Sequence, residues 1–157
     1  MMSLKSSLDA FRSEFLEKFP ADIAATMQQA TDRLAQDYAT RKVLQVGDLA
    51  PDFELPNAMG ERVKLSDRLQ QGAVILTFYR GGWCPYCNLE LRAYQQILSQ
   101  IQAAQVSLIA VSPQLPDQSL SVVEKNHLGF DVLSDVGSTV AQAYQIAYEL
   151  PDELKQL

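Results

Sequence analysis

Cys84 and Cys87 are the only two cysteines in this chain of 157 residues, and two residues separate them. Thiols at this spacing suit dithiol–disulfide chemistry or half of a metal site. Pro85 follows the first cysteine directly, and proline favours the first position of a helix, where its missing N–H costs nothing. The pattern therefore predicts Cys84 as the N-cap of a helix and Cys87 as a residue of its first turn.

A helix N-terminus is a favourable place for a thiolate. Unpaired backbone N–H groups and the positive end of the helix dipole stabilise negative charge there. Cysteine pKa values fall in such settings from about 8.5 to about 3.5–7.5, which increases the nucleophilic fraction. We expect the guanidinium of Arg80 to fold back toward the sulfur. We also expect Cys84, at the helix tip, to be the more exposed thiol and Cys87, on the inward-facing stripe, the more enclosed one.

The residues around the two cysteines also suit a redox site. Trp83 is predicted to shield the sulfurs and to give a substrate an apolar platform, with a simple packing role as the open alternative. Gly81 and Gly82 would let the backbone of the loop approach a substrate closely. Tyr86 completes the sequence Cys-Pro-Tyr-Cys, so we take it with Arg80 as a supporting residue of the site.

Structural roles for the cysteine pair are disfavoured. A structural zinc site needs four ligands, and the chain offers two cysteines and one histidine, His127, which we interpret as a surface residue. A metal site shared between chains is the remaining metal alternative, and we predict neither a metal nor another cofactor. A purely stabilising disulfide would close a very small loop and would constrain the unfolded chain little.

Charge and hydropathy exclude several classes of protein. The net charge is −6, and the acidic excess lies entirely after residue 42, with seven basic against thirteen acidic side chains. An acidic domain repels the phosphate backbone, so we expect no nucleic-acid partner. No run approaches the roughly 18 apolar residues of a membrane span. Charged residues interrupt the N-terminus, unlike a secretory signal, so the expected location is the cytoplasm.

The apolar periodicity of the first 44 residues predicts a helical extension. Apolar residues recur at helical spacing over residues 3–19, and Pro20 separates this stripe from a second one that ends near Arg41. Two interpretations stay open. The helices either pack on the surface of the main domain or form a dimerisation element.

Residues 45–157 alternate between strand and helix patterns. Short strands are predicted at 53–55 and 62–65, a strand buried on both faces at 73–79, and a long helix from 85 to about 104. Further strands at 106–111 and 131–133 alternate with helices at 116–127 and 138–144. This order predicts an α/β fold with a mainly parallel central sheet flanked by helices.

Several segments together resemble the AhpC/TSA peroxiredoxin-like family of the thioredoxin superfamily. They are VILTFYRGGWCPYCNLEL (74–91), GDLAPDFEL (47–55), AVSP (110–113) and LSD (133–135), in the order that this family uses. The resemblance implies a thioredoxin-like fold and reduction of hydrogen peroxide or organic hydroperoxides by a cysteine thiolate. A sulfenic acid and then a disulfide would form, and an external thiol reductant of the thioredoxin or glutathione type would reopen it.

The resemblance gives two assignments of the cysteine roles. Ungapped matching places Cys87 in the peroxidatic column, Cys84 where typical members have threonine or serine, and Arg80 where they have proline. The motif Cys-Pro-Tyr-Cys instead resembles glutaredoxins, and a tryptophan before the first cysteine resembles thioredoxins. Those likenesses make Cys84 the attacking thiol and Cys87 the resolving one, as the helix-tip argument does.

Members of this family continue into a β-hairpin and a final helix, so we expect residues 45–157 to be a C-terminally truncated domain. An uncovered strand would then invite pairing, either in a homodimer or with the N-terminal helices. Two further functions stay open. One is thiol–disulfide exchange with a disulfide substrate, and the other is a non-catalytic interaction module.

Overall fold

The computed structural model describes residues 3–41 and 43–155. Two helices come first, α1 (Leu4–Lys18) and α2 (Ala21–Thr40). The hydroxyl of Ser3 accepts the backbone N–H of Ser6 and caps α1, and Pro20 lies at the start of α2. The predicted helical pair is therefore confirmed.

The remaining elements include the predicted strands and helices, together with two short helices, Leu65–Leu69 and Asp152–Lys155, that were not predicted. These remaining elements are β1 (Glu54–Pro56), β2 (Arg62–Lys64), α3 (Leu65–Leu69), β3 (Ala73–Phe78), α4 (Pro85–Gln96), α5 (Leu98–Ala103), β4 (Val106–Ser112), α6 (Pro116–Asn126), β5 (Asp131–Ser134), α7 (Thr139–Ala143) and α8 (Asp152–Lys155). Strands β1 and β2 form an antiparallel hairpin. Strands β3, β4 and β5 lie side by side in that order and are all parallel.

The parallel sheet carries apolar side chains into the core on both of its faces. On one face Ile109, Val111 and Leu133 pack with Phe53 and Tyr144. On the other face lie Ala110 and Val132, together with residues of α4 and α6. This second cluster contains both cysteines, so the dithiol is part of the hydrophobic core.

Strand β3 differs from the prediction. It lies at an edge of the parallel sheet, none of its residues is fully buried, and 37% of Ile75 is accessible to solvent. The prediction of a strand buried on both faces was therefore wrong. A run of apolar residues indicates a strand but does not say whether neighbours flank it on both sides.

The helix predicted from residue 85 to about 104 is two helices. Ile97 leaves helical geometry at φ −108° and ψ 8°, and its N–H bonds to the carbonyl of Tyr94, three residues back. Neither proline nor glycine lies at the break, so no local signal marks it.

Both N-terminal helices contact the main domain. Helix α1 packs against α4, and α2 packs against α8. The hydroxyl of Tyr38 donates to the carbonyls of Ile146 and Ala147, each at 2.9 Å. Ala30 is the single buried residue among the described parts of these two helices. Within the described residues, no helix has the length and hydropathy needed to cross a bilayer.

Candidate active site

The dithiol lies at the carboxyl end of β3, where the chain turns into α4. The N–H of Tyr79 still bonds to the carbonyl of Val111 on β4, at 2.9 Å, and the N–H of Cys84 then closes a turn onto the carbonyl of Gly81, at 3.1 Å. Cys84 is extended at φ −85° and ψ 112° and is the N-cap of α4, and Pro85 is in its first turn. The predicted capping geometry is confirmed.

Two hydrogen bonds from nitrogen donors to the sulfur of Cys84 favour its ionised form. One comes from the backbone N–H of Cys87, at 3.3 Å, in the usual manner of an N-cap side chain. The other comes from Nη2 of Arg80, at 3.2 Å. The guanidinium therefore folds back onto the sulfur as expected, and it adds a full positive charge to that of the helix terminus.

These contacts separate the acidities of the two thiols. The pKa of Cys84 is lowered to about 5, first by the thiol of Cys87, which donates to it, and then by the backbone N–H and Arg80, while burial acts to raise it. The pKa of Cys87 is raised well above its usual range, because its proton serves that hydrogen bond and because it is buried. These directions favour the ionised form of Cys84 and the protonated form of Cys87.

The interaction with the Cys84 sulfur also raises the pKa of Arg80. Burial opposes the charge of the guanidinium, but the hydrogen bond and the negative charge of Cys84 outweigh it. The guanidinium also lies over the ring of Trp83, 5.2 Å from the ring centroid. Arg80 therefore bridges the sulfur and the indole.

The relative exposure of the cysteines was predicted wrongly. Cys84 has no solvent-accessible surface, whereas Cys87 is 8% exposed. Both thiols are free, and the Cys84 sulfur faces its mate. The apolar cluster that contains Val122 and Leu91 encloses Cys84. A helix tip is exposed in an isolated helix, but here α6 packs on it, which local sequence does not reveal.

Trp83 and Tyr86 have different surroundings. Trp83 is 66% exposed, and the Arg80 guanidinium lies over its ring. Its role as a shield for the sulfurs stays a prediction. Tyr86 is half-buried, and its ring meets that of Phe11 edge to face at 4.9 Å. Helix α1 thus contacts the first turn of α4, beside the dithiol.

The loop before Cys84 is fixed by its glycines. Gly81 has φ +149°, and a Cβ on it would lie 2.6 Å from Nε1 of Trp83. A Cβ on Gly82 would lie 2.5 Å from a methyl group of Val122 on α6. The N–H of Gly82 donates to the side-chain oxygen of Gln114, at 2.7 Å. Gly81 therefore allows close packing against Trp83 and Gly82 against α6, rather than the open backbone that the sequence suggested.

Sequence reasoning missed two groups of polar residues near the dithiol. Asn88 is buried on the first turn of α4 and bonds to Asn126 at the end of α6. Tyr79 lies in the same apolar cluster as the cysteines, and its hydroxyl has no hydrogen-bond partner within the described chain. Burial raises the pKa of Tyr79. An asparagine is uncommon on the inner face of a helix, so Asn88 did carry a signal.

A cavity of about 440 Å³ adjoins the site. It lies between the carboxyl ends of β3 and β4 and the segment after α7, and its lining is mostly apolar. Arg80 and Trp83 form one side, and Ile146, Tyr148 and Leu150 contribute to the other. In the described parts of the chain, no cluster of three or more His, Cys, Asp or Glu could hold a metal ion.

Comparisons with known proteins agree with this architecture. The AhpC/TSA family model matches residues 46–155. Peroxiredoxin Bcp of Escherichia coli (strain K12) is 30% identical over 103 residues, which are 66% of this chain and 65% of that protein. The chain thus aligns with just under two thirds of the length of this relative.

Two crystal structures share the fold. Peroxidoxin BcpB from Mycobacterium tuberculosis has a TM-score of 0.64 and 28% identity, over 66% of this chain and 68% of that one. A protein from Chlorobium tepidum, described as a "putative Thiol:disulfide interchange protein DsbE", has a TM-score of 0.56 and 29% identity, over 64% and 70% of the two chains. The predicted thioredoxin-like α/β fold is confirmed, and because the family match takes in most of the sequence, the chain belongs to the AhpC/TSA family.

Proposed function

We propose that the chain is a thiol-dependent peroxidase in which Cys84 attacks the peroxide and Cys87 resolves the product. The observation that carries the proposal is the pair of hydrogen bonds that Cys84 accepts from the Cys87 backbone and from Arg80. The thiolate is the reactive form of cysteine. A group held as a thiolate at neutral pH needs no separate base, so chemistry would start at Cys84.

The reaction is a two-electron reduction. The Cys84 thiolate attacks the terminal oxygen of ROOH, the O–O bond breaks, and RO⁻ leaves to be protonated as ROH. Cys84 is then a sulfenic acid. The sulfur of Cys87 displaces hydroxide from it, water is formed with the Cys87 proton, and a disulfide joins the two residues. Two electrons from an external dithiol or from two monothiols restore the thiols.

This assignment differs from the one that ungapped family matching implies, which gives the peroxidatic role to Cys87. The high pKa of Cys87 argues against that role, because little of it would be ionised at neutral pH. Arg80 supports this role of Cys84, since its guanidinium would stabilise negative charge first on the thiolate and then on the leaving oxygen. The closed position of Cys84 requires Arg80 to move aside when a peroxide enters.

The apolar cavity beside Arg80 favours organic hydroperoxides over hydrogen peroxide. An apolar substituent placed between Trp83 and Leu150 would leave its peroxide oxygens near the guanidinium. Burial of each methylene group contributes roughly 0.8 kcal/mol. We therefore expect cumene hydroperoxide to react faster than hydrogen peroxide. Equal rates with the two peroxides would contradict a role of the cavity in binding the substrate.

A single-turnover experiment tests the cysteine roles. The reduced protein, freed of reductant, is mixed with one equivalent of cumene hydroperoxide, and the remaining thiols are titrated. We expect both thiols to disappear for each peroxide consumed. Cys87→Ser should retain a sulfenic acid at residue 84 that dimedone captures, and Cys84→Ser should react slowly. Capture at residue 87 would reverse the roles, and no thiol loss in the unmodified protein would reject the peroxidase.

Thiol–disulfide exchange is the second candidate, favoured by the likeness to the Chlorobium tepidum protein and by the dithiol itself. Its substrate would be a protein or glutathione disulfide rather than a peroxide. In Cys87→Ser, exchange should stop at a mixed disulfide through Cys84, which mass spectrometry locates. Rapid exchange with glutathione disulfide and slow reaction with peroxide would select this function.

The remaining expectations concern the setting of the reaction. Residues 45–157 would carry the chemistry with residues 1–44 as a helical extension, in the cytoplasm, where thiols stay reduced. The reductant would be of the thioredoxin or glutathione type. The open edge of β3 is suited to pairing with a second copy. Sedimentation equilibrium tests this, and a monomer at micromolar concentration would contradict the homodimer.

A further inference from the structure

We propose that Asn88 and Asn126 are positioning residues that hold the dithiol loop, residues 80–84, in its reactive geometry. This inference rests on the proposed function in one respect, that Cys84 is the attacking sulfur. Asn88 is 5% exposed and lies one turn into α4. Its side-chain amide points back at the loop that carries Cys84, rather than at solvent.

The amide nitrogen of Asn88 donates twice. One bond reaches the carbonyl of Gly82 and the other the carbonyl of Cys84, each at 2.8 Å. Both acceptors belong to the short turn that sets the direction of the Cys84 side chain. Since Gln114 accepts the N–H of Gly82, this peptide region is held from two sides.

The amide oxygen of Asn88 is held in turn. It accepts from Nδ2 of Asn126, at 2.8 Å. Asn126 also donates to the carbonyl of Val122, at 3.1 Å, and accepts from Nη1 of Arg92, at 2.9 Å. Every hydrogen-bonding group of the Asn88 side chain is thus used, and the loop and α6 together fix its conformation.

This arrangement matters because the contacts of the Cys84 sulfur have narrow geometry. The sulfur lies 3.3 Å from the N–H of Cys87 and 3.2 Å from Arg80. A loop displaced by an ångström would lose both. Apolar packing against Val122 prevents Gly82 from moving inward, but only directional bonds prevent the peptide from rotating.

The experiment measures the rate of Cys84 alkylation by iodoacetamide against pH in the full chain, with the modified cysteine located by mass spectrometry. In Asn88→Ala we expect the apparent pKa of Cys84 to rise by about one unit, which lowers the thiolate fraction about tenfold at pH values well below 5 and only slightly at neutral pH. Asn126→Ala should shift it in the same direction by less, because Asn88 keeps its loop contacts but loses its anchor.

Gln95→Ala is the matched control. Gln95 also lies on α4, and its amide oxygen accepts the N–H of a loop glycine, Gly129, at 2.7 Å, away from the dithiol. This variant should lose stability and leave the alkylation profile unchanged. An equal shift in Gln95→Ala, or none in a folded Asn88→Ala, would overturn the inference. If Asn88→Ala does not fold, an unshifted Asn126→Ala overturns it.

The assay contains no peroxide, so its result is independent of the peroxidase test. A chain that alkylates at Cys84 with a low pKa but consumes no peroxide would reject the proposed function and leave the positioning roles in place. A chain that consumes peroxide normally while Asn88→Ala alkylates as the unmodified protein does would reject the positioning roles alone.

Discussion

Two regions contact helix α4 and are held in opposite ways. The dithiol loop is bound by directional hydrogen bonds at both sides of Gly82 and encloses a sulfur with no accessible surface. Helix α1 has no buried residue, and its contacts with α4 include the ring of Phe11 against Tyr86. Directional bonds fix the orientation of a reactive atom, whereas apolar contacts between half-buried side chains are non-directional.

The largest expected difference between the regions is in core substitutions. Ile109→Ala removes a fully buried side chain from the middle of β4, which should lower the free energy of unfolding by about 2–5 kcal/mol. Leu16→Ala on α1, where the side chain is 48% exposed, should change it by about 0.5 kcal/mol or less. Urea denaturation measures both. Similar losses would mean that α1 belongs to the same cooperative core.

The next largest effect concerns charge at the sulfur. Arg80→Met removes the guanidinium that donates to Cys84, so the pKa of Cys84 should rise by about 1–3 units. Arg12→Met removes a guanidinium that bonds to Gln28 within the helical pair, and should leave this pKa unchanged. Alkylation against pH compares them. An unshifted Arg80→Met would assign the acidity of Cys84 to the helix terminus and Cys87 alone.

Stability of the reduced protein should depend on pH through the two thiols. The pKa of Cys84 is about 5 in the folded protein and about 8.5 in the unfolded chain. Between these pH values the unfolded chain binds more protons, so the free energy of unfolding rises with pH. Cys87 has a raised pKa when folded, so above about 8.5 its contribution is lost as pH rises. The urea concentration at the midpoint of unfolding should therefore be highest at about pH 8.5. Cys84→Ser should not show this rise of stability with pH. If the rise persists in Cys84→Ser, other titratable groups cause it.

The smallest effect is expected at the contact between α1 and α4. Phe11→Ala removes the edge-to-face ring pair, worth about 0.5–1.5 kcal/mol beyond its area. Limited proteolysis within α1 should accelerate while the alkylation profile of Cys84 stays constant. Phe19→Ala, which removes a ring stacked on Phe15 in the same extension, is the control. A changed profile in Phe11→Ala would show that α1 helps to position the dithiol.

The sequence was sufficient for features that depend on neighbours within one helical turn. The N-cap at Cys84, the position of Pro85 and the return of Arg80 to the sulfur are contacts across four residues or fewer. The order of strands and helices also followed from periodicity. Local propensity and patterning determine such features, and tertiary packing left them unchanged.

The features that were mispredicted or missed depend on distant residues. Burial of Cys84 requires α6, and the bond between Asn88 and Asn126 joins positions 38 residues apart. The break at Ile97 and the edge position of β3 have no local signal either. Contacts of this kind are determined by how the elements pack, so a single sequence does not specify them without the fold.

The edge position of β3 has a consequence for amide exchange with deuterated solvent. Successive N–H groups of a strand point to opposite sides, and the N–H of Tyr79 bonds to β4. The N–H groups of Thr77 and Ile75 therefore also point toward β4. Those of Phe78 and Leu76 point to the other side of β3, where no strand of the described chain pairs with it. Exchange along this one strand should alternate between slow and fast, so that neighbouring amides report separately on the opening of the sheet and on the occupancy of its free edge.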